Sequence, residues 1–162
     1  MTIQSVKRIS AELRPHVLDN LGLSAAIEWQ VKQIKDVTGI DCQFVSYPTD
    51  VVVDMDTSVA LFRIFQEAIT NAVRHSKASQ IKVELRQSPG RILLTVEDNG
   101  LGIKHSEITD VKSFGLISIK ERARALGGDV EIFGRPNKGT VITAEIPLRK
   151  KEDAHGKDSH SG

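Results

Sequence analysis

Between Val59 and Ala78 the chain runs V-A-L-F-R-I-F-Q-E-A-I-T-N-A-V-R-H-S-K-A, and directly afterwards its apolar period falls from near four to two. Leu61, Phe62, Phe65, Ala68, Ile69, Ala72 and Val73 recur at the three and four spacings that draw one apolar stripe down a long helix. Then Ile81, Val83 and Leu85 alternate with Lys82, Glu84 and Arg86, Ser88-Pro89-Gly90 turns the chain, and Ile92, Leu94 and Val96 alternate again. Alternation of that kind is a hairpin with one buried face. A helix with one apolar side followed by a sheet with one apolar side has few ways to hide both surfaces, and the simplest lays one on the other.

The opposite side of the same helix is polar. Glu67, Asn71 and His75 follow at intervals of four with Arg74 beside them, so a carboxylate, a carboxamide and basic groups share one ridge. A glutamate and an asparagine one turn apart supply oxygen ligands for a hard, hydrated divalent cation and leave part of its charge for phosphates. A solvated helix face is the plain alternative. The second hairpin strand ends in Glu97-Asp98-Asn99-Gly100-Leu101-Gly102-Ile103, an acid followed by two glycines one residue apart, where the backbone can turn tightly and approach a ligand. A simple turn after a strand is the alternative here.

The remaining elements fall in order around these. Val6, Ile9, Leu13 and Val17 have helical spacing over Thr2 to Val17, interrupted by Pro15. Leu18 to Leu23 signals a turn, with Ser24 expected as the N-cap of a second helix that runs to about Val37 and stops at Thr38-Gly39. Ile40 to Val45 predicts a strand closed by Tyr47-Pro48, and Asp56 or Thr57 is the expected cap of the central helix. After a polar segment from Lys104 to Ser113, Phe114 to Leu126 predicts a helix stopped by Gly127-Gly128. Val130 to Gly134 and Val141 to Ile146 then form a hairpin through Arg135-Pro136-Asn137-Lys138-Gly139. Arg149 to Gly162 is polar and without pattern, which predicts disorder, and His155 and His160 are read as tail residues. This order predicts an α+β fold: a two-layer α/β sandwich whose mixed, mostly antiparallel sheet is covered on one face by helices.

Composition narrows the function. At 162 residues, 40% hydrophobic and 27% charged, the chain suits one domain with a real core. A formal charge of +1 and 4% aromatic residues disfavour nucleic acid and direct membrane contact. The single cysteine, Cys42, cannot form an internal disulfide or a zinc cluster, and with no signal peptide in the sequence the expected setting is cytoplasmic.

Four segments together carry a resemblance: E-A-I-T-N-A-V-R-H, D-N-G-L-G, F-G-L-I-S-I-K-E-R-A-R-A-L-G-G and K-G-T. In order and spacing they are similar to the ATP-binding domain of sensor histidine kinases, and the upstream R-I-S-A-E-L-R-P-H-V-L-D-N-L-G-L-S-A-A-I-E-W resembles the NarX, LiaS and DesK type. The resemblance covers Arg8 to Leu148. It implies a Bergerat ATP-binding fold, with residues 1–22 the end of a second dimerisation helix and its linker, 23–148 the catalytic domain and 149–162 the tail. It implies ATP and magnesium as ligands, with Asn71 on the metal and Glu67 orienting a metal-bound water or helping to deprotonate the attacking histidine. Arg74 and His75 would lie near the phosphates, although a helix C-terminus by itself favours a histidine. Asp98 would accept from the adenine amine, Gly100 and Gly102 would leave room for the ring, and Gly115 and Leu116 would offer backbone N–H groups to phosphate. Gly139 and Thr140 match the last motif, with Thr140 near adenine, and Ile103, Ile69 and Ile142 are candidates for apolar walls.

Two departures from the family pattern stand out: Ser113 replaces a customary glycine before Gly115, and the segment from Ile103 to Phe114 is short. The phosphoacceptor motif is absent, since neither His16 nor His105 matches it. The expected partners are therefore a dimerisation and phosphoacceptor domain of the same kinase, within a full-length homodimer, and a response regulator downstream, the fragment itself being monomeric. Gyrase, MutL and heat-shock-chaperone ATPases, an anti-sigma-factor serine kinase, and a non-catalytic nucleotide-sensing or docking module are the rivals.

Overall fold

The computed structural model describes residues 14–108 and 114–149. In chain order these form α1 (Arg14–Thr38), β1 (Asp41–Tyr47), α2 (Met55–His75), β2 (Gln80–Ser88), β3 (Arg91–Asp98), the short α3 (His105–Ile108), α4 (Phe114–Arg124), β4 (Asp129–Arg135) and β5 (Gly139–Pro147). Expectations for residues 1–13, for Ser113 and for the tail beyond Arg149 fall outside the described residues.

The five strands form one sheet in the order β1-β2-β3-β5-β4. β1 runs parallel to β2, which α2 makes possible by carrying the chain back between them, and every other pair is antiparallel. Register places the inward residues in rows. Phe44, Val83, Val96, Ile142 and Ile132 are successive partners across the sheet, and Ser46, Leu85, Leu94, Ala144 and Val130 form the next row. The inward residues of β2, β3 and β5 are buried, and so are Leu61, Phe62, Phe65, Ala68 and Ile69 on the expected stripe of α2. Each of the large apolar side chains among them contributes about 1.5–3 kcal/mol when fully buried. The other sheet face is charged: Arg86 pairs with Glu84 at 2.9 Å, Arg91 with Glu145 at 3.4 Å and Arg135 with Glu97 at 3.9 Å. The sandwich of helices on one face of a mostly antiparallel sheet is thus the observed architecture.

Local differences have physical reasons. The break in α1 is at Gly22 (φ 82°, ψ 174°), a backbone state open to glycine, with helix on both sides of it. Ser24 is therefore not the cap. Its hydroxyl instead accepts from the Val51 N–H at 3.2 Å and meets the Ser46 hydroxyl at 3.1 Å, tying α1 to β1 and to the approach to α2. The cap of α2 is Asp54 rather than Asp56 or Thr57, its carboxylate accepting from the Thr57 N–H and the Thr57 hydroxyl, both at 2.9 Å. β1 lies one residue later than expected at its start and extends to Tyr47. α4 ends at Arg124, with Gly128 N–H closing onto the Ala123 carbonyl at 2.9 Å, and part of the polar segment after Lys104 forms α3. Among the described residues no helix is long and apolar enough to cross a membrane.

Candidate functional site

The inward rows of the sheet do not end in hydrocarbon. Ile92, Leu94 and Val96 point into the core, and two residues further on the same parity puts Asp98 on the inward face, opposite Ile81 of β2. One residue beyond the Glu97 and Val141 pair, Asp98 lies beside Thr140. Asp98 is 7% exposed and Thr140 8%. Burial pushes the Asp98 carboxyl above the ordinary aspartate range, partly offset by backbone N–H groups of Gly100 and Thr140 that stabilise the anion. The Gly100 N–H donates to Asp98 Oδ1 at 2.9 Å. Thr140 Oγ1 accepts from the Ile103 N–H at 2.8 Å, which fastens the loop after β3 to β5 and leaves the hydroxyl proton to be donated. The chain is close-packed here: a side chain at Gly139 (φ 106°) would collide with the Asp98 carbonyl, and one at Gly102 (φ 77°) with that of Arg135.

A second group of residues gathers on α2. Glu67 and Asn71 are half-buried, one turn apart on the ridge opposite the core stripe. Gly115, in the first turn of α4, faces both. A Cβ built on it would stand 2.9 Å from Glu67 Oε2, 3.4 Å from Asn71 Nδ2 and 3.6 Å from Asn71 Oδ1. Glycine thus lets the start of α4 come against the two polar side chains. Among the described residues no three His, Cys, Asp or Glu side chains gather as a metal cage. Two oxygen-bearing side chains converging at a half-open position fit a magnesium ion that keeps several waters and completes its shell from phosphates.

The two groups are joined through the loop after β3. The Leu101 N–H donates to the Ser76 carbonyl at 2.7 Å, so the loop holding Gly100 and Gly102 hangs on the C-terminal cap of α2. Asn99 adds a clamp that sequence reasoning missed: its Oδ1 accepts from the Ser79 and Gln80 N–H groups at 3.0 and 2.9 Å, and its Nδ2 donates to Ser79 Oγ at 2.9 Å. Asn137 (φ 58°) donates its N–H to the Leu101 carbonyl at 2.8 Å, bringing the β4–β5 turn to the same loop. An asparagine between an aspartate and a glycine and another in a hairpin turn were the only signals, and both read equally well as ordinary turn chemistry.

Other expected site residues lie apart or serve the core. Arg74 and His75 are exposed in the last turn of α2, where the helix dipole favours cations. Ile103 is half-buried at the mouth of the loop, and the Leu116 side chain is buried at 6% exposure. Ile69, with 0% exposure, and Ile142, with 6%, belong to the core.

With this geometry in hand, comparison places the chain. Residues 56–150 match the family described as "Histidine kinase-, DNA gyrase B-, and HSP90-like ATPase", over more than half of the chain, and the protein belongs to that family. Among its relatives, the signal transduction histidine-protein kinase/phosphatase DegS of Brevibacillus brevis is 34% identical over 151 residues, covering 93% of this chain and 39% of DegS. The oxygen sensor histidine kinase NreB of Staphylococcus carnosus is 32% identical over 146 residues, covering 90% of this chain and 42% of NreB. The chain spans about two-fifths of the length of these relatives. The histidine kinase domain of the Erythrobacter litoralis blue-light activated histidine kinase superposes with a TM-score of 0.70 at 22% identity, over 91% of this chain and 76% of that one. The ATP-binding domain of PrrB from Mycobacterium tuberculosis gives 0.62 at 22% identity, over 74% and 89%. At such identity these two structures speak for the fold.

Proposed function

We propose that this chain is the cytoplasmic ATP-binding catalytic domain of a two-component sensor histidine kinase of the NarX, LiaS and DesK type. In this reading residues 23–148 form the catalytic domain and residues 1–22 are the end of a second dimerisation helix and its linker. The observation that carries the reading is the pairing of two sites on one loop system: a buried, hydrogen-bonded carboxylate at the end of β3 and an oxygen-bearing ridge on α2 faced by a glycine at the start of α4.

Asp98 selects the base. With one oxygen held by the Gly100 N–H, its carboxylate is oriented to accept from an exocyclic amine, which adenine has and guanine lacks at the matching position. Thr140 stands beside it, Gly100, Gly102 and Gly139 keep the backbone close, and Ile103 supplies an apolar edge. Asn71 would hold magnesium, with Glu67 beside it, and the ion would supply charge neutralisation to the phosphates. The backbone of Gly115 and Leu116 meets the phosphate oxygens, and Arg74 and His75 add positive charge at the end of the ridge. Glu67 would orient a magnesium-bound water or help to deprotonate the attacking histidine, and the γ-phosphoryl group passes in line from ATP, leaving ADP, to a histidine imidazole on a dimerisation helix. Positioning and charge do most of that work. A response regulator would then receive the phosphoryl group.

Radiolabelled ATP tests this directly. The chain alone binds ATP with magnesium but acquires no acid-labile label, because the oriented imidazole and the high effective concentration of a tethered acceptor are both missing. A separate dimerisation fragment carrying the acceptor histidine becomes weakly labelled when added. Acid-stable label on a serine of an added protein would favour the serine-kinase rival instead, and equal affinity for ATP and GTP in calorimetry would remove Asp98 from base recognition.

A further inference from the structure

Two carboxamides occupy positions where α1 and α2 otherwise bury hydrocarbon. Gln30 is 0% exposed within the α1 stripe of Leu23, Ala26, Ile27, Val31 and Ile34, and Gln66 is 5% exposed beside Phe65 on α2. Gln66 Nε2 donates to Gln30 Oε1 at 3.4 Å, across 36 residues of sequence. Gln66 Oε1 accepts from an Arg63 guanidinium nitrogen at 3.2 Å, one turn earlier on its own helix. Because arginine only donates, the Gln66 amide has one sense and the chain Arg63–Gln66–Gln30 runs one way. Leucine or methionine would fill the same volume without the cost of burying amides. What hydrocarbon does not supply is direction, since apolar contacts let one helix roll on another with little loss and a buried hydrogen bond does not.

The next residue after Gln66 is Glu67, about 100° further round the helix, and Arg63 lies one turn before Glu67 on the same ridge. We propose that the Gln30–Gln66–Arg63 chain is a positioning device that fixes the roll of α2 against α1, and so sets where the Glu67 carboxylate stands during phosphoryl transfer. Gln30 and Gln66 act through Glu67 and do not touch the nucleotide. The proposal rests on the kinase reading above. Asn71 is held between this pin and the Ser76 cap, which is bonded to the Leu101 N–H, whereas Glu67 adjoins the pin itself. Loosening the pin therefore disturbs Glu67 first. Binding, spread over Asp98, Asn71 and the loop backbone, tolerates such a shift, while transfer loses up to about a hundredfold for a displacement near 1 Å.

The test compares the native chain with the double variant Gln30→Leu/Gln66→Leu, which removes both buried amides together, and with the milder Gln66→Asn, which keeps an amide but withdraws it. Each is measured for thermal unfolding, for ATP–magnesium affinity by calorimetry, and for phosphotransfer to an added dimerisation fragment carrying the acceptor histidine. The expected result is an unfolding midpoint in the double variant equal to or above the native one, with affinity and the KM for ATP within about twofold. Transfer kcat falls about tenfold or more in both variants. Native kcat in the folded double variant, or a fall in affinity that matches the fall in kcat, overturns the proposal. A native chain that fails to bind ATP overturns the kinase reading, and this proposal with it, whereas native binding and transfer with unchanged variants overturns this proposal alone.

Discussion

Asp54 and Asp98 are both aspartates at the junction of an element and a loop, and the fold treats them in opposite ways. Asp54, exposed at the start of α2, gives its carboxylate to the Thr57 N–H and hydroxyl, and these bonds hold its pKa below the ordinary 3.8. Asp98, buried at the end of β3, is raised above the same 3.8 by loss of water, and its bonds to backbone N–H groups only partly compensate. The charge of Asp54 serves the helix it caps. That of Asp98 costs the ligand-free fold. In the proposed reading, the acid that strains stability is the one that meets the base, while the acid that supports stability caps a helix.

The largest test of that contrast removes the packing that keeps Asp98 in place. Gly139→Ala sets a methyl group against the Asp98 carbonyl at a backbone angle that favours glycine, so it should cost about 3 kcal/mol of stability and abolish ATP binding. Denaturant unfolding with calorimetry checks this, and a stable variant with native affinity would break the geometric account. Next comes Asp98→Asn. A charge-assisted bond to the adenine amine contributes about 1.5–3 kcal/mol, so affinity for ATP and ADP should fall roughly tenfold or more. In the absence of nucleotide the same variant should unfold at a higher temperature at neutral pH, which a purely structural aspartate would not do.

On the α2 ridge, Asn71→Ala should abolish the enhancement of ATP affinity by magnesium, while Glu67→Ala should keep more binding than phosphotransfer. Magnesium-dependent affinity that survives in Asn71→Ala would refute the assignment. Asp54→Ala should cost about 1 kcal/mol of stability and leave nucleotide affinity alone.

Acid distinguishes the two aspartates by sign. The folded pKa of Asp98 is raised, so its penalty is complete at neutral pH, is relieved as pH falls through that value and is gone below 3.8. The folded pKa of Asp54 is lowered, so its contribution is intact above 3.8 and is lost as pH falls further, through its folded value. Unfolding measured from neutral to acid pH should therefore show the gain from Asp98→Asn vanishing before the loss from Asp54→Ala does. The reverse order would mean that burial does not govern Asp98.

Much of this was legible because parity and period survive folding. Ile92, Leu94 and Val96 alternate, and the same count reaches Asp98, so its inward direction followed from the sequence even though its hydrogen bonds did not. The Glu67 and Asn71 ridge followed from helical spacing in the same way. What was not legible depends on contacts distant in sequence. Two acids precede Thr57, and the choice of Asp54 as cap depends on how the chain leaves β1. Ser24 has the chemistry of a cap, but Val51 and Ser46, brought to it by the fold, claim its hydroxyl. Nothing in the spacing singles out Gln30 and Gln66, whose pairing exists only once α1 is laid on α2. The parallel pairing of β1 with β2 is decided only when α2 crosses the sheet.

The break at Gly22 separates two leucines, Leu18 at 4% exposure and Leu23 at 1%, that are buried in the same core. In mechanical terms this is a fixed elbow and not a loose tether. With Leu18 and Leu23 both seated, a rotation of the turn before Gly22 would be taken up where α1 packs on α2, the helix that carries Glu67 and Asn71.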